Sequence, residues 1–326
     1  MKKNTTRSTA DSWDTYWQGT RDGDAYASGG ISHPLVSAFW DRFFESVRET
    51  ESAPSIIDIA SGSGAVVERA RAVFGGSSPE ITCLDVSPAA VANLEQRFPG
   101  VTGIVANALD IPLESARYDI ATSQFGVEYA GIEAVAEAGR LVAPGGHLAL
   151  MMHYRGGSIH TECSGSLDAI RRTQKADFIP RAIDMFEAGF RAVRGADRAD
   201  YEAAGNLLVP AIAELDAIFA DYGEHVAGDT IARIYSDVGR IHSEIQHYEA
   251  NEVLAWLRTM QDELEAFAGR MESMGECALD ADAFNAVCSS LREDGLDIEQ
   301  AAALTTAVTD SPLAWVLTAT RTNAPR

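Results

Sequence analysis

The chain is short of cysteine and of positive charge, and each shortage narrows what it does. Four cysteines in 326 residues (Cys83, Cys163, Cys277 and Cys288) are too few and too scattered for a disulfide framework, and no C-x-x-C pair suggests zinc. Only 26 basic side chains stand against 48 acidic ones, a formal net charge of -22. Phosphate-backbone binding needs clustered Lys and Arg, so no nucleic-acid partner is expected. No apolar run approaches the roughly 18 residues of a membrane span, so no membrane partner is expected either. The opening MKKNTTRSTADSW is basic but lacks the apolar stretch of a signal peptide. These absences predict a soluble, cytoplasmic protein. No Asp, His or Glu cluster has metal spacing along the chain, and no metal is expected.

What is present is enough apolar sequence, 46%, to bury a real core. At about 150 residues per domain, the length suits two domains or one with a large insertion. In the first half, short apolar runs recur at Ser55–Ile59, Ile81–Leu84, Val101–Val105, Tyr118–Ser123 and His147–Met152. Segments with helical spacing, Val66–Phe74 and Pro88–Arg97, lie between them. Strands of this length separated by helices predict a doubly wound, mostly parallel sheet. Turn signals agree: Gly75-Gly76 and Pro99-Gly100 close helices, and Pro144-Gly145-Gly146 punctuates the way into the fifth strand.

After Tyr154 the pattern changes, and from about Ser166 to Met274 it predicts helices only. Leu207, Ala211, Leu215, Ile218 and Tyr222 share one helical face. Ile231, Ile234, Val238, Ile241, Ile245 and Tyr248 make a second stripe, and Val253, Leu257, Met260, Leu264, Phe267, Met271 and Met274 a third. The αβ pattern then returns, with a helix at Ala281–Glu293 closed by Gly295 and strands at Leu296–Leu304 and Leu313–Thr320. The fold class expected is therefore α/β, seven-stranded, with a large all-helical insertion after the fifth strand. The domain expectation is an N-terminal helical cap at 1–50, a core at 51–154 and 280–326, and the insertion at 155–279. The insertion serves as a lid over an acceptor pocket, as a homodimer contact through its heptad-like stripes, or as both.

The chemistry concentrates in IIDIASGSGAVVERA, Ile56–Ala70, where a strand enters Ser61-Gly62-Ser63-Gly64 and passes straight into a helix. Glycines let backbone approach a ligand closely, and a helix N-terminus offers unpaired N–H groups. A nicotinamide fingerprint would want a third glycine near Val67, which is absent. Asp58 lies inside the first strand, where an acid is costly unless it organises the glycine loop. Asp85 ends the second strand, placed to accept two hydrogen bonds from a ribose diol. Asn107 and Ala108 follow the third, where an adenine edge could be read, a turn-capping amide being the alternative role for Asn107. All these contacts lie at carboxyl ends of strands, where open α/β sheets bind ligands.

Together the segments DIASGSG, LDVS, ANALDIPL and LVAPGGHLAL resemble the class I S-adenosylmethionine-dependent methyltransferase family, with its Rossmann-like sheet. The likeness is close over about Ser55–His153 and looser over Ala281–Thr320. Two departures stand out: Ala60 replaces the family's first loop glycine, and Asn107 stands where an aspartate is more usual. The resemblance implies S-adenosyl-L-methionine as cofactor, with the loop Ala60, Ser61, Gly62 and Gly64 against its methionine part. It further implies Asp85 on the ribose, Val86 on the adenine face, Asn107 and Ala108 on the adenine edge, and Gln124 and Phe125 near the sulfonium. An aromatic N-terminal segment, Trp13–His33, often closes over the cofactor in such proteins. Tyr16, Trp17, Tyr26 and His33 are therefore candidates to line the site, a helix packed on the sheet being the alternative.

Methyl transfer needs alignment, plus removal of a proton when the acceptor is a hydroxyl. Candidate bases sit after strands four and five: Glu128 and Tyr129, then His153 and Tyr154. His153 is preferred because imidazole titrates near neutrality, with Glu128 second. His160, His242 and His247 are further options. The D/N-P-P-Y signature of nucleobase amino methylation is replaced by Ser123-Gln124-Phe125-Gly126. The expected function is methylation of a small molecule, at oxygen before nitrogen, sulfur or carbon. A non-catalytic cofactor-binding scaffold is the alternative class.

Overall fold

Runs of β-branched and aliphatic residues too short for helices become strands, and those inside the sheet are buried on both faces, as flanking helices require. In the computed structural model, which describes residues 13, 14, 16–18, 33–77, 79–305 and 311–323, seven such strands form one sheet. They are β1 (Ser55–Ile59), β2 (Glu80–Asp85), β3 (Thr102–Val105), β4 (Tyr118–Gln124), β5 (Val142–His153), β6 (Leu296–Thr305) and β7 (Pro312–Arg321). The order is β3-β2-β1-β4-β5-β7-β6, and β7 alone runs antiparallel to both its neighbours. The sheet thus reverses its winding between β1 and β4, which creates a crevice at their carboxyl ends.

Helices on this sheet are α1 (Pro34–Arg48), α2 (Ala65–Phe74), α3 (Pro88–Arg97), α4 (Glu133–Arg140) and α10 (Ala281–Glu293). Their starts follow local chemistry. Ser87 caps α3 by accepting from Ala90 N, Pro88 supplies the first helical position, and Asp280 caps α10 by accepting from Ala283 N. One turn signal reads differently in the structure. Pro144-Gly145-Gly146 lies inside β5 as a bulge, between the pairs Tyr118–Val142 and Ile120–His147. A side chain on Gly146 would stand 2.8 Å from the Asp119 carbonyl, so the bulge holds because nothing projects there.

Residues 163–272 form a second compact unit, whose boundaries fall inside α5 (Ser158–Lys175) and α9 (Ala250–Cys277). It also holds α6 (Phe178–Val193), α7 (Ala199–Tyr222) and α8 (Thr230–Ser243) around a core of its own. Stripe two is buried from Ile231 to Ile245, and Tyr248 is half-buried; stripe three is buried except Phe267, also half-buried. Stripe one is corrected at both ends. Leu208 faces the core with Ala211, Leu215 and Ile218, while Leu207 is 62% exposed and Tyr222 43%. By length and mean hydropathy, 1.4, α7 matches a membrane-crossing helix, a property that a count of uninterrupted apolar residues does not register.

Candidate functional site

At the winding reversal the backbone is drawn into a tight set of loops. Ser61 N–H donates to the Leu84 carbonyl at 3.0 Å, and Ala106 N–H to the Asp85 carbonyl at 3.0 Å. The Asp85 carboxylate spans the two loops, accepting from Gly62 N–H through one oxygen and from Ser87 N–H through the other, each at 2.9 Å. Burial raises its pKa above the ordinary carboxylate range, and the N–H donors oppose that rise. Gly62 has φ of +50°, and a Cβ there would meet Trp17 at 2.8 Å, so the indole packs directly on bare backbone. Gly126 does the same across the reversal, where a Cβ would lie 2.5 Å from that of Ala60.

These loops enclose a cleft of about 210 Å³. Of the residues expected at the cofactor, Ala60, Gly62, Asp85, Val86, Asn107, Ala108 and Phe125 line it. Asn107 uses its side-chain oxygen to accept from Leu109 N–H at 3.0 Å, the turn-capping role, while still facing the cleft. Trp13, Trp17, Leu84, Ala106, Gly126, Tyr129 and Ala130 complete the lining. Of these the sequence marked Trp17 and Tyr129 only. The signal for Trp13 was its place in the aromatic N-terminal segment.

Asp58, Ser61, Gly64, Gln124 and Tyr16 do not line the cleft, each for a local reason. Asp58 is buried beneath the loop, where Thr122 Oγ1 donates to it at 2.8 Å and burial pushes its carboxyl up to about 7. The Ser61 hydroxyl turns inward to the Asp58 carbonyl. Gly64 faces Leu94 and Phe98 at the start of α2. Gln124 accepts from the Trp40 indole N–H of α1. Tyr16 packs edge-on against Trp17. His33 caps α1, its Nδ1 accepting from Leu35 N–H, and Tyr26 lies outside the described residues.

Glu128 and His153 do meet. His153 Nδ1 lies 2.7 Å from Glu128 Oε1, and the His153 backbone N–H donates to the same oxygen at 2.9 Å. Both side chains are fully buried, and neither reaches the cleft. Phe125 and Tyr129, which line it, cover the imidazole with ring centroids at 4.7 and 5.5 Å. Phe125 holds a left-handed φ of +51°, strain of the kind that gathers at functional sites. A third group, remote in sequence, joins the pair: Cys277, at the end of α9. Burial and the neighbouring Glu128 push its thiol up, and the Tyr129 hydroxyl bonds to it.

A family model described as a methyltransferase domain matches residues 56–146. An uncharacterized methyltransferase of Schizosaccharomyces pombe is 32% identical over 149 residues, which are 45% of this chain and 57% of that one. The chain thus spans less than two thirds of the length of that relative. Among solved structures, the S-adenosylmethionine-bound amino pentose methyltransferase CalS10 of Micromonospora echinaspora is 26% identical. That match covers 36% of this chain and 50% of CalS10, with a TM-score of 0.30. The N-methyltransferase NodS of Bradyrhizobium japonicum WM9 is 12% identical, covering 89% and 98%, with a TM-score of 0.39.

Proposed function

We propose that this chain, which carries the domain of the class I S-adenosylmethionine-dependent methyltransferase family over residues 56–146, methylates an oxygen of a small-molecule acceptor. The observation that carries the reading is Asp85, a buried carboxylate at the end of β2 that pins the glycine loop and faces the cleft. The residues present fit the cofactor. The Asp85 carboxylate accepts from Gly62, Ser87 and Val86 N–H, and with about four acceptor sites it keeps capacity for a ribose hydroxyl. Leu84 and Val86 give apolar faces for a flat base, and the Asn107 amide can still donate to its edge. The rings of Trp13, Phe125 and Tyr129 suit a sulfonium cation.

When bound, S-adenosylmethionine supplies an electrophilic methyl on a good leaving group. The chain's own work is alignment and exclusion of water. A hydroxyl acceptor must also lose a proton, and Tyr129 is the hydroxyl on the described cleft wall. We assign Glu128 and His153 a positioning role behind that wall, holding Phe125 and Tyr129, in place of the direct base role expected of them. Their burial gives nitrogen methylation some support as a second reading, because a neutral amine attacks before it loses its proton. The acidic balance of the chain supports a small acceptor over a nucleic acid.

Calorimetry with S-adenosylhomocysteine tests the cofactor site. Wild type binds, and Asp85→Asn weakens binding about 10- to 100-fold, the loss expected for a charged hydrogen-bond partner. No binding, or equal binding by the variant, would overturn the assignment. Release of S-adenosylhomocysteine is then followed with a panel of phenols and hydroxy acids and a panel of primary amines. Turnover confined to the amines would replace oxygen by nitrogen.

A further inference from the structure

The 3-10 turn Val127–Ala130, the end of β5 and the end of α9 bring together three side chains of different donor type. One donor atom each from Glu128, His153 and Cys277 lies within 4.8 Å of the other two. Glu128 and His153 are fully buried, and Glu128 Oε2 has no hydrogen-bond partner among the described residues. A buried carboxylate oxygen left in that state is costly, and a cation bound to it would offset that cost. We propose that Glu128, His153 and Cys277 form a binding site for one zinc-type divalent ion, a site that goes beyond the methyl-transfer reading.

The donor chemistry selects the ion. Sulfur, imidazole nitrogen and carboxylate oxygen together are a zinc set, whereas magnesium and calcium take oxygen ligands. Bonds of about 2.0–2.3 Å in a tetrahedron put donors roughly 3.3–3.7 Å apart. With all three donors within 4.8 Å of one another, the cluster needs a contraction of no more than roughly 1–1.5 Å at any pair. Binding releases the Cys277 proton to solvent, and the resulting thiolate and the Glu128 carboxylate balance the charge of the ion inside an otherwise apolar wall. Three protein ligands leave a fourth position, the pattern of open zinc sites. Tyr129, bonded to Cys277 and lining the cleft, connects the cluster to the proposed reaction site. Sequence spacing gave no hint of this, since the ligands lie at 128, 153 and 277 and meet only in the folded chain.

The test uses the full-length chain, stripped with a chelator, kept reduced and titrated with Co²⁺. One equivalent is expected to produce a thiolate-to-cobalt charge-transfer band, which Zn²⁺ then abolishes by displacement. Cys277→Ser is expected to lose the band and Cys288→Ser to keep it. Glu128→Gln should weaken Zn²⁺ binding by about tenfold or more, since even outer-shell changes cost that much. Cys277 is not fully buried, so its variant is the one least exposed to misfolding. Absence of the band, or its persistence in Cys277→Ser, would overturn the site. Calorimetry with S-adenosylhomocysteine on the same stripped protein reads the cofactor cleft separately, so failure of one assignment is distinguishable from failure of the other.

Discussion

Asp58 has been taken out of water on every side, and what remains to hold its charge is little more than the Thr122 and Ser61 hydroxyls. Burial is the dominant cause of its rise to about 7, and the nearby Asp85 adds to it. In the unfolded chain an aspartate titrates near 3.9. Between about pH 4 and pH 7 the folded chain therefore holds a proton that the unfolded chain has released. Stability is lost as pH rises through that window, by up to roughly 4 kcal/mol, and stays lost above it. Asp58→Asn keeps an oxygen for Thr122 and has no charge to bury. Its stability relative to wild type, from urea unfolding, should thus climb by several kcal/mol between about pH 4.5 and 8. A difference independent of pH would show that Asp58 is solvated in the fold. The sequence could say that an acid inside β1 needs a reason, and the reason is local: it sits under the glycine loop. It could not say that His153 is walled off, because that burial is made by Phe125 and Tyr129, whose directions depend on a left-handed residue that no propensity anticipates. Ala60 is a related case. Its φ of +54° is one a glycine would adopt without strain, so the departure from the loop motif changes the energy of the turn and not its shape.

At the scale of elements, one side chain ties the last strand to the segments around it. Trp315 of β7 lies stacked on Phe284 of α10, with ring centroids 4.2 Å apart, and on Tyr154 at 4.4 Å. Its indole N–H donates to the Leu279 carbonyl at 2.9 Å, ahead of α10. The contact ties the returning αβ segment to the end of β5, so Trp315→Ala is expected to destabilise by about 3–5 kcal/mol. Trp315→Phe, which can keep the stacking and loses the hydrogen bond, should cost closer to 1 kcal/mol. Urea midpoints at fixed pH measure both, and a loss below 1 kcal/mol for the alanine variant would refute the argument. The strands were legible because β-branched runs of five or so residues, bounded by glycine and proline, admit few other states. Pro144-Gly145-Gly146 was less so, since the same residues make a turn or a bulge and only the partner strand decides. The face of α7 shows a second limit. Leu207 and Leu208 fit the apolar period almost equally, and packing within the helical unit, which local pattern cannot see, selects Leu208.

For the molecule as a whole, the excess of acid is a global energy term that no single contact resolves. With 48 acidic side chains and 26 basic ones, pairing every base would still leave 22 negative charges without partners. Both sorts of interaction are visible in the helical unit. Arg171 reaches Glu265 and Glu272, and Arg172 reaches Glu214 and Asp221, all at 2.7–3.1 Å. These pairs are partly exposed and screened by solvent, so each contributes little, while the unpaired excess repels itself across the whole surface. Raising ionic strength from about 0.01 to 0.15 M shortens the screening length from about 30 to 8 Å. Repulsion between distant charges is then removed, whereas contacts near 3 Å lie well inside the screening length and keep most of their attraction. The thermal midpoint should therefore rise over this range of sodium chloride and flatten above it. A midpoint that falls with salt would mean that the local ion pairs outweigh the net charge.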